Sequence, residues 1–278
     1  MIGAIIGDIV GSRFEGDDRY PLDNAFELFP DRCYFTDDTV MTVATADAIC
    51  NGLNFGDAYR KWFTKYPHAG YGKSFHEWGK NKEATPYNSW GNGSAMRVSP
   101  IGWVYDDEES ILNVARATAE VTHDHPEGIK GAQAVAMTIS QIRQGANREE
   151  IRNMIEDDFS YELPDLKDIP YQFDVSCQGT VPLAIQCFLE TASLEDAVRM
   201  GVMSGGDSDT IASIAGAIAE AYYDNPFSKE LLVQVSRRLP EDMAKITEQF
   251  INKFMIPDFK LPEEMSDEAK MQEFIRTM

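Results

Sequence analysis

The stretch Ser204-Gly-Gly-Asp-Ser-Asp-Thr-Ile-Ala-Ser-Ile-Ala-Gly-Ala-Ile-Ala-Glu220 decides how this chain is read. It opens on a dense Asp/Thr cluster and continues as a run of small and apolar residues with the character of a closely packed helix. A second segment, Phe35-Thr-Asp-Asp-Thr-Val-Met-Thr-Val-Ala-Thr-Ala-Asp-Ala-Ile49, has the same design far away in sequence. One such cluster alone reads as helix capping, because Asp and Thr accept hydrogen bonds from the first free N–H groups and their charge suits the positive helix end. Two clusters exceed that need, since a cap uses one side chain and each cluster offers two carboxylates and a threonine hydroxyl. Helices rich in Gly, Ala and Ser pack tightly, so the carboxylates at their starts are expected to be buried. Buried carboxylates in that number call for a cation. An all-oxygen donor set suits Mg²⁺, Mn²⁺ or Ca²⁺ better than zinc, and two aspartate pairs can hold two ions about 3.5–4 Å apart.

Outward from these segments, helical signals dominate. Residues 129–144 place Ala132, Val135, Ile139 and Ile142 on one face. Residues 228–239 do the same with Leu231, Leu232, Val235 and Leu239, behind Ser228 as N-cap. Residues 241–255 carry a stripe of Met243, Ile246, Phe250 and Phe254. Ser193 begins a capping-box-like start for a helix through Val202, and Pro182 suits the first turn of a helix running to about Glu190. Strand alternation is hard to find; Met1–Ile6 and Trp103–Tyr105 are short apolar runs without hairpin signals. The expected architecture is all-α, a single compact multi-helix domain over residues 1–278. Its loops lie at 66–93 and 156–176, and an acidic tail or short helix follows at 257–278.

Composition narrows the function classes. The chain has 278 residues, 43% of them hydrophobic, and a formal net charge of −21. That charge argues against an extended nucleic-acid binding surface and against anionic membranes; most of the acids read as a solubilising surface. No apolar run reaches the ~18 residues of a membrane span, and the start Met1-Ile-Gly-Ala-Ile-Ile-Gly7 has no basic leader. Four dispersed cysteines without a CxxC pair fit reduced thiols. The expectation is a cytoplasmic, monomeric protein.

Three further segments carry chemistry. Gly7-Asp-Ile-Val-Gly-Ser-Arg-Phe-Glu15 is a Gly-flanked start with two acids. Gly91-Asn-Gly-Ser-Ala-Met-Arg97 is a loop whose glycines would let backbone amides approach a ligand, although an ordinary turn also fits. Thr122-His-Asp-His-Pro126 joins two helices; its histidines read as capping or ligand-contacting groups rather than metal ligands.

Taken in order, the segments GDIVGSRFEG, FTDDTVMTVA, GNGSAMR, THDHP and SGGDSDTIASIAGA, with SCQGTVPLAIQCFLE at 176–190, resemble the ADP-ribosylglycohydrolase family over residues 1 to about 224. The resemblance implies an all-α fold with a binuclear Mg²⁺ or Mn²⁺ site and hydrolysis of the bond between ADP-ribose and an acceptor. Carried over by motif, the metal ligands would be Thr36, Asp37, Asp38, Asp207, Asp209 and Thr210. Glu15 matches a glutamate on a mobile loop beside the metals. With Asp38 and Asp209, it makes up the candidate catalytic set. Ser89, Trp90, Gly91, Asn92, Gly93 and Met96 match the loop that wraps the diphosphate and distal ribose, and His123 matches a histidine facing them. Substrates would be ADP-ribosylated protein, nucleic acid or small molecules. Members acting on ADP-ribosylarginine can carry an acid in the loop after the second long helix. The corresponding stretch here, Tyr66-Pro-His-Ala-Gly-Tyr-Gly-Lys-Ser74, has none. Two other readings remain open. One is a non-catalytic ADP-ribose-binding or structural relative. The other takes Asp207-Ser-Asp209 as the DxD of a glycosyltransferase, which would call for alternating strands and helices.

Overall fold

A computed structural model describes residues 1–16, 24–167 and 173–262. Its helices run in the order α1 (Ile2–Gly11), α2 (Asp37–Asn51), α3 (Phe55–Lys65), α4 (Lys73–Lys80), α5 (Gly93–Met96), α6 (Ile101–Val104), α7 (Glu108–Glu120), α8 (Pro126–Arg143), α9 (Arg148–Asp157), α10 (Cys177–Leu189), α11 (Leu194–Met203), α12 (Ser208–Tyr222), α13 (Lys229–Arg238) and α14 (Glu241–Phe254). Among the described residues the sole β feature is an isolated antiparallel bridge between Gly91 and Ser176. The fold is all-α, as expected, and the glycosyltransferase alternative lacks the strands it needs. No described helix is long and apolar enough to cross a membrane.

The centre of the molecule is α1 laid along α12. Every residue of α1 is buried, as is every residue of α12 from Ser208 to Glu220. Glycines make the approach possible. A β-carbon on Gly3, Gly7 or Gly11 would collide with backbone atoms of Gly216, Ala212 and Asp209 respectively. These glycines, four residues apart, line one face of α1 and let the two backbones touch. Glu220 closes the far end by accepting from the amides of Ile2 and Gly3. The near end brings Asp8 of α1 beside Asp209 of α12, which sets the site.

Several helix boundaries agree with the sequence reading. Ser228 caps α13 through the Leu231 amide, Ser193 caps α11 through Asp196, and α8 covers the expected stripe behind His125 as N-cap and Pro126 at its first position. Others differ for identifiable reasons. The apolar run Met1–Ile6 is the start of α1, a helix buried all round and therefore without amphipathic alternation. Trp103 and Val104 end the short helix α6. Pro182 lies inside α10, not in its first turn, because Ser176 caps the helix one turn earlier through the Gly179 amide. The stretch 66–93 contains a helix, α4, whose Phe75 and Trp78 are buried, with Phe75 packing edge-on against Phe63. The tail expected at 257–278 is described only to Pro262; the remainder lies outside the described residues.

Candidate active site

The two Asp/Thr clusters meet. Thr36 is the N-cap of α2, its hydroxyl accepting from the Asp38 amide at 3.4 Å, and α12 begins directly after Asp207. The Thr210 hydroxyl donates to Asp38 Oδ2 at 3.1 Å, and Thr36 Oγ1 stands 3.4 Å from Asp209 Oδ2. Capping does not account for this arrangement. Asp207 occupies the N-cap position of α12 yet makes no side-chain cap bond. Its Oδ2 instead accepts from Asn92 Nδ2 at 2.5 Å.

The carboxylates form two overlapping groups. Asp8, Asp38 and Asp209 bring one oxygen each within 4.8 Å of one another, and so do Glu15, Asp207 and Asp209. Asp209 belongs to both. Asp37 belongs to neither and instead lines the cleft wall, its Oδ1 facing the chain turn at Gly70. Burial pushes the carboxyls of Asp8, Asp37, Asp38, Asp207 and Asp209 above the usual aspartate range, and like-charged neighbours push Asp37, Asp38 and Asp209 further. Asp38 Oδ1 is a buried oxygen with no hydrogen-bond partner among the described residues. Such an oxygen costs free energy unless something fills its lone pairs. An all-oxygen set of acids and threonine hydroxyls fits a hard divalent cation.

Asp8 is the site residue that motif reading passed over. It is fully buried, and its carboxylate accepts from the Thr36 amide at 2.9 Å, the Thr36 hydroxyl at 2.6 Å and the Thr39 amide at 2.9 Å. Asp8 thereby holds the start of α2 in place and orients the Thr36 oxygen. The available signal was its position one residue after Gly7. Once α1 is recognised as a helix, the glycine face carries Asp8 to the neighbouring aspartates.

A cleft of about 450 Å³ opens above the carboxylates. Glu15, Asp37, Asp38, Asp207, Asp209 and Thr210 form its acidic side; Ser89, Gly91, Asn92, Gly93, Met96 and His123 line it elsewhere. That volume lies within the range of small-molecule sites. Thr36 sits beneath the floor, against Asp8. Trp90 is 52% exposed and lines an adjoining groove with Ser89, Gly91 and Asp174. Lys73, Tyr87, Phe173 and Val175 also line the cleft, and no motif singled them out.

The glycine loop departs from a backbone-amide cradle. The Gly91 amide donates to Ser89 Oγ at 3.1 Å, and the Asn92 amide donates to the Val175 carbonyl at 2.8 Å. What the glycines provide is room for His123. A β-carbon on Gly93 would stand 3.0 Å from His123 Nε2, and one on Gly91 3.5 Å from it. His125, by contrast, caps α8 by accepting from the Glu127 amide at 3.1 Å. Neither histidine belongs to the carboxylate groups.

Residues 1–257 match the sequence profile of the ADP-ribosylglycohydrolase family. The chain belongs to that family. The ADP-ribosylhydrolase ARH3 of Mus musculus is 27% identical over 304 aligned positions, covering 80% of this chain and 82% of its own length. The ADP-ribosyl-[dinitrogen reductase] glycohydrolase of Rhodospirillum rubrum is 26% identical over 186 positions, covering 62% of this chain and 56% of its own. A solved structure described as an ADP-ribosylglycohydrolase-related protein complex superposes with a TM-score of 0.69 at 22% identity, over 92% of this chain and 97% of that one, which shows the shared fold.

Proposed function

We propose that this chain hydrolyses the glycosidic bond between ADP-ribose and an acceptor group, with two Mg²⁺ or Mn²⁺ ions held by Thr36, Asp37, Asp38, Asp207, Asp209 and Thr210. The observation that carries the reading is the pair of carboxylate groups sharing Asp209 at the floor of a ligand-sized cleft. Asp38 Oδ1, buried and without a hydrogen-bond partner among the described residues, and the all-oxygen donor set support a bound cation. Such ions, when bound, supply orientation of ribose hydroxyls and acidification of a water.

The rest of the chemistry falls to the chain itself. Loss of the acceptor from C1 of the ribose leaves positive charge on the sugar, and the Asp38, Asp207 and Asp209 carboxylates stabilise it electrostatically. Glu15, Asp38 and Asp209 are the candidate bases for the attacking water's proton, Glu15 being the one open to solvent. Ser89, Trp90, Gly91, Asn92, Gly93, Met96 and His123 form the wall proposed to bind the diphosphate and distal ribose. The intact acidic set favours a catalyst over a purely binding or structural relative.

The test is release of free ADP-ribose from ADP-ribosylated arginine, serine and nucleic-acid substrates, with and without Mg²⁺. Metal-dependent release from at least one is the expected result; no release from any would overturn the reading. The acceptor side holds no acid in 66–74 and places Lys73 on the cleft wall, an unfavourable neighbour for a guanidinium. Strong selectivity for arginine is therefore not expected, and release from the arginine conjugate alone would contradict this.

Ligand binding separates the roles of histidine and aspartates. Free ADP-ribose binds the folded cleft and not the unfolded chain. At a hundredfold excess over its Kd it should stabilise by about 2.7 kcal/mol, roughly 5–10 °C in melting temperature for a chain of this size. His123→Ala is expected to lose most of that shift while metal content per chain stays at the wild-type value. A drop in metal content would make His123 a ligand.

A further inference from the structure

The surroundings of His123 define more than its position. Its ring is buried, and Nδ1 lies 2.7 Å from the Thr122 hydroxyl. Nε2 faces the cleft beside Gly91 and Gly93 and forms no hydrogen bond among the described residues. Which nitrogen carries the hydrogen therefore rests on the Thr122 hydroxyl, and that hydroxyl is constrained by a cation. Arg97 is fully buried and forms no ion pair among the described residues. Its Nη2 donates to the Thr118 carbonyl at 2.7 Å and to Thr122 Oγ1 at 2.8 Å, while the guanidinium lies over the Tyr59 ring at 4.3 Å. A guanidinium donates only, so Thr122 Oγ1 must accept from it. Besides Arg97, the Thr122 hydroxyl has one hydrogen-bond partner among the described residues, His123 Nδ1. A threonine hydroxyl has two lone pairs and one hydrogen. With Arg97 donating into the oxygen, a hydrogen donated by the imidazole would leave the buried hydroxyl's own hydrogen without an acceptor among these partners, so that single hydrogen is directed at His123 Nδ1.

We propose that Thr122, fixed as an acceptor by Arg97, is a positioning residue that holds His123 in the tautomer carrying its hydrogen on Nε2. The cleft then meets a hydrogen-bond donor at that point, suited to a phosphate or hydroxyl oxygen. The same tautomer has no lone pair on the cleft-facing nitrogen, so it cannot ligate a metal there. Burial, reinforced by the nearby Arg97 charge, holds the His123 pKa well below its usual value, which keeps the ring neutral and makes the choice of tautomer meaningful. That the donor serves ADP-ribose rests on the function proposed above; the tautomer itself does not.

The experiment is a long-range proton–nitrogen correlation spectrum of the ¹⁵N-labelled full chain near neutral pH. The chain has 4 histidines, and His123→Gln identifies the relevant signals. The wild type is expected to show a protonated Nε2 and a bare Nδ1. Thr122→Val, which keeps the shape and removes the hydroxyl, should populate both tautomers and weaken ADP-ribose binding about tenfold, the scale of one hydrogen bond. Thr122→Ser should restore the wild-type spectrum and affinity, an outcome that loss of packing alone would not give. A wild-type ring protonated on Nδ1 would overturn the proposal, as would a Thr122→Val ring that keeps the pure Nε2 form. If Thr122→Val does not fold, the wild-type and Thr122→Ser spectra decide. A wild type with the expected tautomer and no ADP-ribose binding would sink the proposed function and leave the tautomer assignment standing.

Discussion

Asp209→Asn is expected to fold and to lose hydrolase activity by on the order of a hundredfold or more, as follows when a preorganised charge is removed from a reacting centre. The local bonds favour folding. Asp209 Oδ1 accepts from the Thr210 amide at 3.0 Å, and an asparagine oxygen can do the same. The new amide would face the carboxylates of Asp8 and Asp38, where a donor is welcome. Asn also substitutes for Asp at helix starts with little loss. The metal-free variant should therefore melt no lower than the wild type. Charge is another matter, because Asp209 is the one residue common to both carboxylate groups. Its loss would weaken both proposed cation positions together, so Mg²⁺ affinity should fall, and excess Mn²⁺ should recover part of the rate. Steady-state rates measured across metal concentrations for both proteins decide it. Near-equal rates at limiting metal would reduce Asp209 to a structural residue and remove the main support for the mechanism.

How much of this was legible in the sequence depended on whether a feature was local. The starts of α2 and α12 could be read directly, because clustered Asp and Thr before small residues have few other uses. The caps at Ser193 and Ser228 were equally local. The first helix was not readable by periodicity. α1 is buried on every side, so its apolar residues do not alternate with polar ones, and the information lies in the glycines that admit α12. Asp8 was missed for that reason. A single acid between glycines has no meaning until the helix is placed, and its three bonds all cross to another element.

The glycine loop is the opposite case, a motif visible in the sequence whose glycines serve a different local purpose from the one read there. Its residues line the cleft, but Gly91 and Asn92 spend their amides inside the protein. Close approach is still the reason for the glycines; the group that approaches is the His123 ring. Pro182 carries the same lesson. A proline is tolerated in a helix's first turn, yet the Ser176 cap begins α10 early enough to place Pro182 inside it. The cleft residues Tyr87, Phe173 and Val175 had no signal at all, since nothing but the fold brings them to the site.

The metal-free protein is expected to lose stability as pH rises, and divalent metal to abolish that loss. The carboxyls of Asp8, Asp37, Asp38, Asp207 and Asp209 are all raised in the folded state, by burial first and by like charges second. A group whose folded pKa is raised binds more protons in the native than in the unfolded state. Its contribution is fully present below the ordinary carboxylate range and disappears as pH climbs through the raised native values. Asp47 and Asp242 act in the opposite sense. Their pKa values are lowered by bonds from Lys61 and Trp62, and from Lys65 and Tyr66, against an opposing burial effect. Their contribution is present above the ordinary range and is lost on acidification. The two sets therefore separate by pH, and the site aspartates dominate on the alkaline side. Cation binding needs these carboxylates ionised, so it grows stronger over the same window. At a thousandfold excess over its Kd, Mg²⁺ should add about 4 kcal/mol, roughly 10 °C in melting temperature for a chain of this size. Melting curves from pH 5.5 to 8.5, with a chelator or with saturating Mg²⁺, are the measurement. The chelated protein should fall with pH while the metal-loaded protein stays level, so the gap widens. Parallel curves would mean that the aspartates are already compensated within the protein, and the cation site would have to be abandoned. Asp209→Asn provides the internal control: with one fewer repelled carboxylate, its chelated curve should fall less steeply than that of the wild type.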